Sequence, residues 1–137
     1  EGFRSPALHR NREWMQDLPF KWDSSFPAWD PFQPQPGGCR TYFPYKLNDH
    51  TWEFPVTMFQ DFTLFYELSH NWMNVWSIQL ETLCSNAALI NVIVHPDYAF
   101  PSLLASYNTL ICIALKNFQS LITTPSELLK RLASNEK

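Results

Sequence analysis

The stretch INVIVHPDYAF, residues 90–100, decides how the chain is read. With Leu89 it begins as LINVIV, an apolar and largely β-branched run. Such runs form strands buried on both faces, as in parallel sheets. His95 ends the run, and Pro96 breaks it. Helices are expected on both sides. Over residues 72–86, Trp72, Trp76, Leu80 and Leu83 recur at helical spacing with Val75 beside them, and residues 102–117 form a second helix. A buried strand between helices predicts an α/β fold with mostly parallel strands. Ligands in such folds bind at the carboxyl ends of the strands, which is where His95 lies. Imidazole titrates near neutrality and can give a proton to a leaving group. The plainer reading of His95 is a satisfied core histidine.

Outward from this stretch, the chain divides by composition. Residues 1–60 hold most of the prolines and all three glycines, whereas residues 61–137 are regular and apolar. FPAWDPFQPQPGG, residues 26–38, is a long Pro-rich loop, and its aromatics Phe26, Trp29 and Phe32 argue against disorder. EGFRSP and FKWDSS read as strand ends entering loops. RTYFPYKL and TWEFPVTM are strands or extended edges, each interrupted by proline. A short helix is expected over residues 8–17, with Leu8, Trp14, Met15 and Leu18 inward. Another is expected over residues 61–70, with Asp61 as its cap. SLIT, residues 120–123, reads as a last strand. Residues 125–134 carry a full helix start: Thr124 as cap, Pro125 first, and Glu127 as the reciprocal partner.

The 137 residues suit one domain with one core. At 45% apolar and 16% aromatic, the chain is that of a folded protein. A net charge of −3 with no basic block argues against nucleic acid as a partner. The longest apolar runs are far short of the ~20 residues a membrane helix needs. Cys39, Cys84 and Cys112 are odd in number and form no C-x-x-C, so neither a disulfide framework nor a structural zinc site is expected. Cys84 and Cys112 read as buried thiols.

Arg4, Asp23 and Ser24 also fall at the ends of predicted strands. Asp23 and Asp97 are candidates to orient His95, since a carboxylate on one ring nitrogen fixes the tautomer. Asp97 reads equally well as a turn residue in HPDY. Arg4 is expected to pair with a buried carboxylate. Glu67 and His70 form one E-x-x-H, but di-metal bundles need two such motifs and further glutamates. The aromatics Trp22, Trp29, Phe32, Tyr42, Tyr45 and Trp52 are packing residues or a platform for a sugar ring.

GFRSPALHRN, WDSSFP, DPFQPQPGGC, FPVTMFQDFTLF and VIVHPDY occur in an order and spacing that resemble a bacterial branch of the polysaccharide deacetylase family, the homology group of chitooligosaccharide deacetylases. The likeness runs from residue 2 to about residue 100. It implies the C-terminal part of a distorted (β/α) barrel, a single partial domain over residues 1–137 whose N-terminal strands are missing. Arg4 and Pro6 match the arginine motif, whose arginine steadies the catalytic base. Asp23 looks like the aspartate that pairs with the catalytic histidine, and His95 matches that histidine, the general acid toward the leaving amine. Trp22, Trp29 and Tyr98 are the expected substrate contacts, as aromatic rings on which a sugar can stack. Two departures are local: DSSFP lacks the following tryptophan of its motif, and Val92 and Val94 stand where leucine is usual.

The larger departure is that the family's paired Asp-Asp and its H-x-x-x-H do not occur. These supply the base and the ligands of a divalent metal, zinc first among them. The resemblance therefore implies a fragment of a metal-dependent carbohydrate N-deacetylase that is inactive alone. Its implied partner is an N-acetylated polysaccharide or oligosaccharide. A partial barrel also leaves a sheet edge through which copies can self-associate. The alternative is a glycan-binding domain on a degenerate deacetylase fold. Such proteins are exported or serve a biosynthetic step inside the cell, and the sequence leaves the compartment open.

Overall fold

A computed structural model describes residues 1–68, 72–98 and 101–135. Four short strands form the sheet: β1 (Gly2–Phe3), β2 (Trp22–Asp23), β3 (Tyr45–Lys46) and β4 (Trp52–Glu53). Their order is β1-β2-β4-β3. The β1–β2 and β2–β4 pairs are parallel, and β3 runs antiparallel to β4. The fold is thus α/β with a small mixed sheet whose edges are β1 and β3. The register sets Phe3, Asp23, Glu53 and Tyr45 in one row across it. Prolines lie close to every strand, at 6, 27, 44 and 55, and proline cannot donate to a ladder. Beyond the strands the β2–β4 pairing continues only as a bridge between Pro27 and Val56.

The strand expected over residues 89–94 does not form. Its contacts with the 57–61 segment are scattered. Thr57 N and Met58 N both donate to Asn91 O, at 2.9 and 3.2 Å, and Asp61 N donates to Ile93 O at 3.4 Å. Thr57 Oγ1 takes the Asn91 N–H at 2.9 Å, and the Asn91 amide nitrogen donates to Ser24 Oγ, Phe54 O and Pro55 O. Side chains intercept the bonds that a ladder would need. Ile90, Val92 and Val94 still pack on the apolar core, but only half-buried. The strand expected at SLIT is also absent, and Leu121 and Ile122 are exposed. Gln119, at φ 52°, turns the chain just before it.

The helices follow their patterns more closely. α1 (Arg12–Gln16) begins later than expected because Asn11 Oδ1 accepts from Glu13 N and Trp14 N, at 3.0 and 3.1 Å. Leu8 and Met15 are buried, but Trp14 is 73% exposed and Leu18 also faces out. A wide helical turn covers Thr63–Glu67 within the helix expected over residues 61–70. α2 (Trp72–Ser85) and α3 (Pro101–Asn117) pack together, and Met58, Leu64, Trp76, Leu80, Leu83, Leu103 and Leu110 form the apolar core. Trp76 is fully buried, and its indole N–H is answered by Phe59 O at 2.8 Å. α4 (Pro125–Asn135) carries the capping box read from the sequence. Glu127 N donates to Thr124 Oγ1 at 3.2 Å, and Thr124 N to Glu127 Oε2 at 3.1 Å.

The Pro-rich loop folds on itself. Asp30 is buried and accepts from Phe32 N and Gln33 Nε2, at 2.9 and 2.6 Å. At Gly38 an added Cβ would lie 2.4 Å from the carbonyl oxygens of Pro27 and Ala28, so only glycine allows this approach. The three cysteines are free thiols and half-buried, so Cys84 and Cys112 are less enclosed than expected. Among the described residues no helix is long and apolar enough to cross a membrane.

Candidate active site

His95 follows the LINVIV segment and enters the turn Pro96–Tyr98. Its partner is Asp61. The two carboxylate oxygens divide the work: Oδ2 accepts the backbone N–H of His95 at 2.5 Å, and Oδ1 meets ring Nδ1 at 2.5 Å. Oδ1 also accepts from Phe62 N at 2.8 Å. The Asp61 side chain is fully buried, whereas 42% of the His95 side chain is exposed. With Nδ1 turned to Asp61, Nε2 is the ring nitrogen on the side away from that carboxyl group. The imidazole is thus held on one side by a buried carboxyl group, and part of its ring stays exposed.

Asp23 does not hold that ring. It is buried beside Ser25, which donates from Oγ to Oδ1 at 2.7 Å and from N to Oδ2 at 3.3 Å. The pairing implied for Asp23 is thus made by Asp61, a residue expected only to cap a helix. The readable signal was an acid set among Met58, Phe59, Phe62 and Leu64, where a charge needs a buried partner. Asp97 is exposed in the turn, as its alternative reading has it.

Arg4 leaves β1 and reaches Ser24, with Nε on Ser24 O at 2.9 Å and Nη2 on Ser24 Oγ at 2.6 Å. Nη2 also meets Asn91 Oδ1 at 3.2 Å. Its hydrogen bonds go to neutral groups, not to the carboxylate expected. Burial pulls the guanidinium below its usual range, and nearby Glu53 and Asp23 oppose that. Arg4, Gln60 and His95 line a pocket of about 280 Å³ with Pro6, Leu8 and Ile93. Ala7 and Leu8 hold φ of 51° in its wall, a conformation rare outside glycine. A cavity of about 350 Å³ near Asp17, Lys21 and His50 lies before β2 and β4 in the chain, away from His95.

The candidate glycan contacts separate. Trp22 packs over Gly2, where a Cβ would come within 1.9 Å of its ring, and against Phe54. Trp29 is 51% exposed beneath the Arg40 guanidinium, 5.6 Å from the ring centre. The Tyr98 side chain and His70 lie outside the described residues. Among the described residues no group of three or more His, Cys, Asp or Glu side chains is arranged to hold a metal ion. The zinc implied by the resemblance is one whose ligands come from motifs that this chain does not carry. The chain matches no protein-family model, no curated protein and no solved structure. The likeness to polysaccharide deacetylases rests on the motifs quoted above.

Proposed function

We propose that the chain is the C-terminal part of a carbohydrate N-deacetylase of the distorted (β/α)-barrel kind, and that His95 is its general acid. Cleavage of an N-acetyl group requires a proton on the departing amine nitrogen, and His95 Nε2 supplies it. Asp61 fixes the ring that gives the proton, while Arg4 and Gln60 line the space for the substrate. In the family resembled, the base and the metal come from motifs that this chain does not carry, so the isolated chain is inactive. β1, at the sheet edge, is where this reading places either further barrel strands or a second copy of the chain.

The observation that carries the reading is the half-exposed imidazole on a fully buried carboxylate, beside Arg4 at one pocket. The exposed rings of Trp29, Phe32, Tyr42 and Phe43 favour a second reading, a glycan-binding domain without chemistry. Titration with an N-acetylglucosamine oligosaccharide, followed by NMR, separates the two. Shifts at His95, Gln60 and Arg4 support the acid site, and shifts confined to Trp29 and its neighbours support the binding domain. No shift in either place overturns both. Acetate release by the isolated chain with added zinc would refute its dependence on motifs outside it.

A further inference from the structure

Glu53 and Asp23 stand side by side in the β2–β4 register. Both are buried, Glu53 completely. Asp23 already accepts two bonds from Ser25, and Glu53 Oε1 accepts the Phe26 N–H at 3.1 Å. Glu53 Oε2 is the odd atom: it is buried, and among the described residues no donor reaches it. Two ionised carboxylates are acceptors only, and buried side by side they repel. A proton on Oε2 would give that atom a hydrogen bond to donate, and Asp23 is its neighbour in the register.

We infer that Glu53 is a neutral acid in the folded protein and donates its proton to Asp23, joining β2 to β4 by a one-proton carboxyl latch that alkali releases. Titratable and charged groups face Glu53 from each neighbouring segment. They are Arg4 after β1, Asp23 on β2, Tyr45 opposite it on β3, and Arg10 and Cys39 from the loops. The arginines favour the ionised form. Burial outweighs them, the bond and charge of Asp23 add to it, and together they push the Glu53 carboxyl up to about 10. The latch seats two things at once. Phe26, held by Oε1, opens the Pro-rich loop, and Ser24, next to Asp23, holds Arg4. None of this depends on what the pocket binds.

The test is a carbon-13 NMR titration of the whole chain labelled at its glutamate carboxyls. One of the seven glutamates should stay protonated at pH 7 and ionise near pH 10, and Glu53→Gln should remove that signal. Ionisation of all seven by pH 7, or survival of the neutral signal in Glu53→Gln, overturns the latch. Should that variant not fold, the wild-type Phe26 amide nitrogen decides. It should shift with the same alkaline midpoint as the carboxyl, and a flat response there refutes the assignment.

Discussion

The two halves of the molecule are held together by different means. Residues 1–60 bury apolar groups such as Leu8, Phe54 and Val56, but also Asp23, Ser24, Ser25, Asp30, Gln33, Thr51, Glu53 and Thr57, whose hydrogen bonds run mostly to backbone groups. The core built by α2, α3 and their neighbours buries Leu64, Trp76, Leu80, Leu83, Leu103 and Leu110, and it folds by excluding water from apolar surface. Apolar packing is non-directional and tolerates small shifts, whereas a buried polar group without its partner costs the full desolvation of that group. The first half should therefore answer to pH and to single-atom changes, and the second to changes of volume. His95 and Asp61 lie where the two regimes meet.

That contrast can be broken at several points. The largest effect is expected in the apolar half, where Trp76→Ala removes a fully buried ring and its bond to Phe59 O. It should cost about 3–5 kcal/mol in urea unfolding, with little change in how stability depends on pH. At the junction, Asp61→Ala strips the acceptor from His95 N, His95 Nδ1 and Phe62 N. A loss of about 1–3 kcal/mol is expected, and nitrogen-15 NMR should show the His95 ring losing its fixed tautomer. An unchanged ring spectrum would remove Asp61 from the site.

In the polar half, Glu53 holds its proton more tightly folded than unfolded. The unfolded chain releases that proton first as pH rises past the ordinary glutamate value. Stability is then highest on the acid side, falls through neutrality, and levels off near pH 10. The slope contributed by this one group is at most about 1.4 kcal/mol per pH unit, and Glu53→Gln should flatten it. Chemical denaturation at pH 6, 8 and 10 measures both chains, and parallel slopes would sink the prediction. The smallest effect belongs to α4, where Thr124→Ala removes one member of the capping box. A loss of about 1 kcal/mol or less is expected, read as reduced amide protection in the first turn of that helix.

The capping box of α4 was legible because its rule is local: three residues and one turn decide it. α2 and α3 were legible for a related reason, since helical periodicity repeats several times within each. LINVIV misled because a strand exists only when a neighbour offers its bonds, and here Asn91 and Thr57 take them through side chains. SLIT failed likewise, with no partner in the sheet. Its position after an apolar run marks His95 as a candidate, but the sequence offers Asp23 and Asp97, not Asp61, as the carboxylate behind it. The choice between Asp23 and Asp61 depends on which of two distant segments folds against residue 95.

By itself the sequence determined the α/β class, the main helices with the α4 start, the ordered Pro-rich loop and the place of His95 after an apolar run. These rest on periodicity, proline geometry and composition, all of which act over short spans of chain. Only the tertiary structure decided the strand order, the Asp61–His95 pair and the register that sets Asp23 beside Glu53. Each of these is a meeting of side chains 30 or more residues apart, or of whole strands. Such meetings are set by how the apolar core and the buried hydrogen bonds are satisfied together.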